Sequence, residues 1–246
     1  MVEPPAAPSL TPVPAPIPEP ARLTVSDIAV ARGGRPVFAG LSCAVEPGGA
    51  LRLAGPNGGG KSTVLRVIAG LLRPLRGEVA WDGEPIAEDP GAHARRIAYL
   101  GHADALKTAL TARENAEAAL AVAGRSGKAS DGRTGADLDH AFALLDLERL
   151  ADLPAAWLSA GQRRRVALAR VVASGCPLWL LDEPTVGLDT ASVAALERAI
   201  AAHRSAGGMV VAATHIALDL GPGDTSVDPG AFPWRLADVP LDEALV

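Results

Sequence analysis

The stretch Gly55-Pro56-Asn57-Gly58-Gly59-Gly60-Lys61-Ser62 decides how this chain folds, because it fits the pattern G-x-x-x-x-G-K-[ST]. Its surroundings fit as well. Apolar residues at 50–53 predict a strand that leads in, and apolar residues at helical spacing after Gly60 predict a helix that Pro74 ends. In such a turn the glycines let successive backbone N–H groups curl around an anion, and the helix start adds its dipole. We therefore predict a phosphate-binding loop.

The last residues of this motif indicate which phosphate compound binds. Lys61 would supply a mobile charge for the β- and γ-phosphates of a nucleotide, and the Ser62 hydroxyl would be a ligand of Mg²⁺. Only three of the 23 basic residues are lysines, so a Gly-rich turn alone does not explain a lysine here. Residues 55–62, with Thr63 beside them, are the predicted nucleotide-binding segment.

The composition excludes several other classes of protein. The 246 residues are 48% hydrophobic and 21% charged, which is not the balance of a disordered chain. The net charge of −5 argues against a dedicated nucleic-acid binder, so no nucleic-acid partner is expected. Two cysteines, Cys43 and Cys176, suit a reducing compartment better than a disulfide scaffold. The sequence has neither a transmembrane-length apolar run nor a secretory signal, so we expect a cytoplasmic chain.

The N-terminal half of the chain divides by pattern. Residues 1–21 hold eight of the 21 prolines and predict an extended tail, with a docking peptide as the alternative. From Leu23 the alternation of apolar and polar residues predicts a β-rich opening with two hairpins, turning at Gly33-Gly34 and at Pro47-Gly48-Gly49. The helix after Gly60 is expected to continue to Leu72.

The C-terminal half has a different pattern. Residues 111–123 and 137–150 are predicted to be Ala/Leu-rich helices joined by a polar loop. Helical and strand patterns then alternate over 166–213, which predicts α/β units on a parallel sheet. Residues 221–246 show no clear period and receive no assignment.

Two acids end a buried apolar run at Leu178-Trp179-Leu180-Leu181-Asp182-Glu183. Acids at the end of a buried strand are costly unless they face a cation. Asp182 is placed to hold Mg²⁺, and Glu183 is placed to polarise the water that attacks the γ-phosphate. A strand that merely reaches solvent is the plain alternative, which the phosphate loop upstream makes less favoured.

A third motif is Leu158-Ser159-Ala160-Gly161-Gln162, which three arginines and a helical pattern follow. Ser159 is a good N-cap, and the small residues leave backbone N–H groups open to an anion. Residues 159–176 contain four arginines and no acid. Alone, this run would fit a nucleic-acid patch or a solvated helix face.

In this order the motifs resemble those of nucleotide-binding subunits of ABC transporters, over about residues 22–216. Gly187-Leu188-Asp189 and Thr214-His215 extend the resemblance. It implies an α/β fold: a P-loop NTPase core with an N-terminal antiparallel β-subdomain and an inserted α-helical subdomain. The implied division is a tail at 1–21, an ATP-binding domain at 22–220 with its helical part at about 102–175, and a segment of unknown role at 221–246.

The same resemblance implies roles for single residues. ATP would lie between the phosphate loop of one copy and Ser159, Gly161 and Gln162 of a second copy, paired head to tail. His215 would contact the γ-phosphate, with Glu183 and Lys61 as the other catalytic groups. Asp189 would couple the two sites across the dimer.

Two positions depart from the general family pattern. His102 occupies the place of the glutamine that normally follows the strand at 97–100. An imidazole can accept a hydrogen bond from bound water, and His102 is predicted to be one of the cofactor-binding residues. The aromatic residue that stacks on adenine is also missing, and the planar guanidinium of Arg32 is a candidate to replace it.

A narrower resemblance accounts for His102. The stretch Gly101-His102-Ala103-Asp104-Ala105-Leu106-Lys107, together with residues 158–170 and 177–180, resembles the ATP-binding subunits of cytochrome c maturation, the CcmA family of haem exporters. In that family a Gly-His pair occupies this position, and Lys107 fits as well. The resemblance implies ATP and Mg²⁺ as cofactors and an integral membrane permease subunit of the maturation system as partner. It also implies a peripheral location on the cytoplasmic side of the bacterial inner membrane.

Other functions stay open at this stage. The family's ATP hydrolysis is linked either to haem export or to release of a haem-loaded chaperone, and the chain has no C-x-x-C-H haem motif of its own. An ABC subunit that serves an exporter of another substrate is the alternative. A soluble ABC protein of translation or DNA repair would be longer, and a non-hydrolysing sensor would be expected to lack Glu183.

Overall fold

A computed structural model describes residues 22–124 and 138–233 of this chain as two β-sheets with helices. The Pro-rich tail at 1–21, most of the polar loop after residue 124 and the final residues from 234 lie outside the described residues. The extended Pro-rich tail therefore stays a prediction.

The first sheet is antiparallel and has four strands in the order β2-β1-β4-β5. The predicted hairpin at Gly33-Gly34 is confirmed, because Arg32 at the end of β1 pairs with Arg35 at the start of β2. The strands of this sheet are β1 Leu23–Arg32, β2 Arg35–Val45, β4 Arg76–Trp81 and β5 Glu84–Pro85.

The second sheet is parallel, and its five strands follow the order β6-β7-β8-β3-β9. It confirms the α/β units predicted for the second half of the chain. Its strands are β3 Ala50–Leu53, β6 Ile97–Leu100, β7 Leu178–Asp182, β8 Met209–Ala213 and β9 Thr225–Val227.

The second predicted hairpin is wrong. β3 does not pair back onto β2 but lies between β8 and β9 in the parallel sheet. The turn before it carries the chain from one sheet to the other, with the Gly48 N–H donating to the Gly207 carbonyl at 3.2 Å. Because Ala50, Leu51 and Leu53 are all buried, β3 has the two-sided burial typical of a parallel strand.

The described residues also form six α-helices and three short 3-10 helices. The α-helices are α1 Lys61–Ile68, α2 Pro90–Arg96, α3 Ala112–Val122, α4 Leu138–Leu144, α5 Ala160–Val172 and α6 Thr190–Ser205. α1 is shorter than its apolar spacing predicts. The chain turns at Gly70, and the N–H groups of Gly70 and Leu71 donate back to the carbonyls of Val67 and Arg66. Leu71, which the predicted helix included, lies beyond α1 and is exposed.

The parallel sheet separates two apolar cores, because successive side chains of a strand point to opposite faces. Trp179 and Leu181 of β7 pack with helices α3 to α6, whereas Leu178 and Leu180 pack with α1 and the antiparallel sheet. This double burial fixes the register of β7. The strand can therefore deliver the two acids that end it to one defined point.

Candidate nucleotide-binding site

A cavity of about 470 Å³ lies where β3, β7 and β8 end. Ligands of open α/β sheets bind in this position, outside the carboxyl ends of the strands. Most of the predicted residues meet there: Asn57, Gly58, Gly60, Lys61, Ser62, Thr63, His102, Asp182, Glu183 and His215. Arg32 lines it too, as required of a residue that would stack on a base. Val37 and Val186 also line it, although nothing in the sequence indicated them.

The phosphate loop connects β3 to α1, as its motif predicts. Lys61 is buried, and its Nζ donates to the carbonyl oxygens of Gly55 at 2.8 Å and Pro56 at 3.0 Å. An ammonium group has three N–H donors, so a third remains for a phosphate oxygen. Gly55, Pro56 and Gly59 do not themselves line the cavity; they shape the loop, with the Gly59 N–H donating to Pro56.

The predicted metal ligands lie side by side. The Ser62 hydroxyl donates to Asp182 Oδ1 at 2.9 Å, which joins the start of α1 to the end of β7. Asp182 is only 2% exposed. Burial raises the pKa of its carboxyl and the nearby Glu183 charge raises it further, whereas the Ser62 hydrogen bond and the His102 charge lower it. A bound cation would stabilise the ionised form of a carboxyl group in this position.

Mg²⁺ fits this pair. A hydroxyl and a carboxylate are hard oxygen donors of the kind that it binds. Across residues 22–124 and 138–233, no three His, Cys, Asp or Glu side chains group as a metal site. A cation held by Ser62 and Asp182 would therefore complete its coordination with water and phosphate oxygens, as Mg²⁺ commonly does at nucleotides.

Glu183 and His215 form a second pair at the cavity. His215 Nδ1 lies 2.8 Å from Glu183 Oε2, and the carboxylate accepts that hydrogen bond. The backbone of Glu183 is in the left-handed region, with φ of +48°, where a residue with a side chain is strained. Strain of this kind is typical of functional sites, and here it accompanies a carboxylate held next to the predicted nucleotide position.

The Ser159 motif begins α5 and lies elsewhere. Ser159 accepts the Gln162 N–H at 3.2 Å, and Gln162 Oε1 accepts the Ser159 N–H at 2.8 Å, which is a capping box. A Cβ at Gly161 would overlap the Gly187 carbonyl oxygen, so only glycine fits there. None of these three motif residues lines the cavity. Within one chain, the structure does not bring them to the phosphate loop.

The four arginines that follow the motif donate hydrogen bonds to backbone carbonyls of the same chain. This argues against the alternatives of a nucleic-acid patch and a solvated helix face. Arg163 donates to the Leu158 carbonyl, and Arg165 donates to the carbonyls of Leu145 and Asp146. Arg170 donates to the Asp104 carbonyl. The fourth, Arg164, is 4% exposed and reaches the site.

Sequence reasoning missed Arg164 because it treated the arginines as one run. One signal could have found it: Arg164, Leu168 and Val171 recur at the spacing of a buried helix face. The segment after residue 220 was also left unassigned. It supplies edge strand β9, and the Asp228 carboxylate packs so closely on Gly55 that a side chain there would overlap it.

Comparison with known proteins identifies the family. A profile described as ABC transporter matches residues 38–186. The cytochrome c biogenesis ATP-binding export protein CcmA of Paramagnetospirillum magneticum is 51% identical over 200 residues, which cover 81% of this chain and 90% of that protein. The chain belongs to the CcmA family of ABC transporters. The resemblance predicted from the motifs is thereby confirmed.

Solved structures agree with the assignment to the ABC transporters. An ATP-binding subunit of an ABC transporter aligns with a TM-score of 0.73 at 27% identity, covering 85% of this chain and 86% of that one. A dimeric ATP-binding cassette in a post-hydrolysis state with ADP and Pi aligns with a TM-score of 0.67 at 26% identity, covering 85% and 95%. The chain is an ABC-type ATPase with the predicted α/β fold.

Proposed function

We propose that this chain is the ATP-hydrolysing, energy-coupling subunit of an export complex for c-type cytochrome biogenesis. The observation that carries the proposal is the convergence of Lys61, the Ser62–Asp182 pair and the Glu183–His215 pair on one cavity. The relatives that match over most of the chain are named cytochrome c biogenesis ATP-binding export proteins, which supports the choice of process.

The proposed chemistry is attack of water on the γ-phosphate of ATP. Glu183 would orient the water and accept its proton, because it is the carboxylate at the cavity that is not committed to Ser62. His215, held through Nδ1 by Glu183, would donate from Nε2 to a γ-phosphate oxygen when both of its ring nitrogens carry a proton. Lys61, already bonded to the carbonyls of Gly55 and Pro56, would donate its third N–H to a phosphate oxygen. Mg²⁺, held by Ser62 and Asp182, would neutralise charge on the phosphates.

The second half of the site would come from a second copy. Ser159, Gly161 and Gln162 lie outside the cavity of their own chain, so they are free to serve the nucleotide of a partner. Similarity to a cassette solved as a dimer with ADP and Pi supports this pairing. Asp189, which caps α6 by accepting the Ser192 N–H at 2.8 Å, would couple the two sites.

The proposal extends to a partner in the membrane. No helix in the described ranges is long and apolar enough to cross a bilayer. We propose a peripheral position on the cytoplasmic side of the bacterial inner membrane, bound to an integral permease subunit through the loop His102–Lys107. We also retain the division into a tail at 1–21, an ATP-binding domain at 22–220 with a helical part at about 102–175, and a C-terminal segment.

Two experiments test this function. Glu183→Gln should lower the rate of ATP hydrolysis by about 10²–10³-fold while ATP still binds, because one preorganised electrostatic group is lost. Glu117→Gln, at an exposed position of α3, is the matched control and should hydrolyse ATP at the wild-type rate. Wild-type turnover by the Glu183 variant would contradict the assigned role.

The process is tested by purifying the chain from native membranes and identifying the bound subunits. Recovery of a cytochrome maturation permease is the expected result. Recovery of a permease for an unrelated substrate would instead favour an exporter of another class. Because hydrolysis by the purified chain is measured separately, the two experiments can fail independently.

A further inference from the structure

Arg164 joins three segments that surround the nucleotide site. Its Nη2 donates to the carbonyl oxygens of Asp182 at 2.6 Å and Glu183 at 2.7 Å. Its Nη1 donates to the Gly101 carbonyl at 2.9 Å and to Asp104 Oδ1 at 3.1 Å. A guanidinium is planar and rigid, so the positions of these four acceptors depend on one another. Arg164 is 4% exposed, so bulk water has little access to these hydrogen bonds.

Both backbone polar groups of Glu183 have partners, and one of them is Arg164. The Glu183 N–H donates to the Ala213 carbonyl at the end of β8, at 2.8 Å. The Glu183 carbonyl accepts from Arg164. The same carbonyl also accepts the Val186 N–H at 3.3 Å, so Arg164 supplies the shorter of its two hydrogen bonds at 2.7 Å. Together these bonds hold the left-handed backbone of Glu183, whose φ of +48° is unfavourable for a residue with a side chain.

The other end of Arg164 holds the loop Gly101–Lys107. It binds this loop at Gly101, directly before His102, and at the Asp104 carboxylate. Arg170, nearly two turns further along α5, donates to the carbonyls of Asp104 and Ala105 in the same loop. A shift of this loop would therefore move Arg164, and Arg164 would move Glu183.

We propose that Arg164 is a positioning residue that keeps Glu183 in its hydrolytic geometry and makes that geometry depend on the loop Gly101–Lys107. The proposal rests on the assignment of Glu183 as the group that orients water. Arg164 does not line the cavity and has no role in holding the nucleotide. Its loss should therefore affect turnover and leave ATP affinity unchanged.

The first test compares Arg164→Gln with Arg165→Gln. Arg165 is the next residue of the same helix and also donates to carbonyls, but those belong to Leu145 and Asp146. We expect Arg164→Gln to lower kcat by about 10–10²-fold, because displacement of a catalytic group by an ångström has effects of this size. The dissociation constant for a fluorescent ATP analogue should stay within about twofold. Arg165→Gln should change neither quantity.

The second test asks whether Arg164 acts through Glu183. In a Glu183→Gln background, adding Arg164→Gln should lower the residual rate by less than about twofold, because residues that act as a unit are not additive. A further tenfold loss would overturn the proposal, and so would a normal kcat in Arg164→Gln alone. Wild-type turnover in Glu183→Gln would instead remove the assignment on which the proposal rests.

Two further variants keep the test decisive if Arg164→Gln does not fold. Asp104→Asn leaves the arginine in place but removes the charge that holds it toward the loop, and should lower kcat by a smaller factor, about threefold. Arg164→Lys retains the charge but loses the rigid fork and should fall between wild type and Arg164→Gln. Unchanged kcat in both variants would overturn the proposal.

Discussion

The phosphate loop Gly55–Ser62 and the loop Gly101–Thr111 both lead from a strand of the parallel sheet into a helix, yet they are held differently. The phosphate loop is held by its own residues: Lys61 donates to a carbonyl six positions away. The start of the second loop is held from outside: Arg164, 63 positions away, donates to Gly101. Its end is held by Asn115, four to eight positions away. The first loop is thus shaped by local sequence, and the start of the second by tertiary packing.

The largest expected effect is that of replacing Lys61 in the phosphate loop, with Lys107 in the second loop as the comparison. Lys61→Ala should weaken ATP binding and lower hydrolysis by about 10²–10³-fold, because it removes the charge that faces the phosphates. Lys107→Ala, the matched change in the other loop, removes an exposed side chain and should leave ATP binding by the purified chain within about twofold. Titration with a fluorescent ATP analogue measures the affinity of both variants. An equal loss of affinity in the two variants would contradict the assignment of phosphate binding to the first loop alone.

The second prediction concerns the end of the loop Gly101–Thr111. Asn115 of α3 is buried; its side chain donates to the carbonyls of Lys107, Leu110 and Thr111, and accepts the Lys107 N–H at 2.7 Å. Asn115→Ala would remove the acceptor of the Lys107 N–H and one donor from each carbonyl, which would then keep only its backbone N–H partner. We expect the free energy of unfolding to fall by about 2–3 kcal/mol, as measured by urea denaturation.

The control for Asn115→Ala is Glu117→Ala, an exposed position on the same helix, which should change stability by less than about 0.5 kcal/mol. ATP affinity should be nearly normal in both, since neither residue lines the cavity. A large loss of affinity in Asn115→Ala without loss of stability would show that this loop belongs to the nucleotide site itself.

The contrast between the two loops explains what the sequence could predict. The phosphate loop, the acids at the end of β7 and the hairpin at Gly33-Gly34 depend on neighbours in the chain, so their residue types indicate them directly. The turn after β2 looked like a second hairpin, because short Gly-Pro turns do not show which sheet receives the next strand. Burial of Arg164 and the contact of Asp228 with Gly55 depend on residues more than 15 positions apart. Local pattern carries no signal for such contacts.

The smallest expected change in stability tests two helix starts with the same cap. Thr111 and Ser159 each form a capping box, with Glu114 and Gln162 as their partners. Replacing either Thr111 or Ser159 by alanine should lower the free energy of unfolding by about 1 kcal/mol.

The two variants should differ in activity. Thr111 caps α3 and does not line the cavity, so Thr111→Ala should hydrolyse ATP at nearly the wild-type rate. Ser159 is proposed to face the nucleotide of a second copy, so Ser159→Ala should lower turnover by about tenfold at equal stability, because a donor to the phosphates is lost. Thermal unfolding and steady-state hydrolysis measured on the same preparations decide this. Equal turnover in the two variants would mean that Ser159 acts only as a helix cap, and the proposed contact across the dimer would then be wrong.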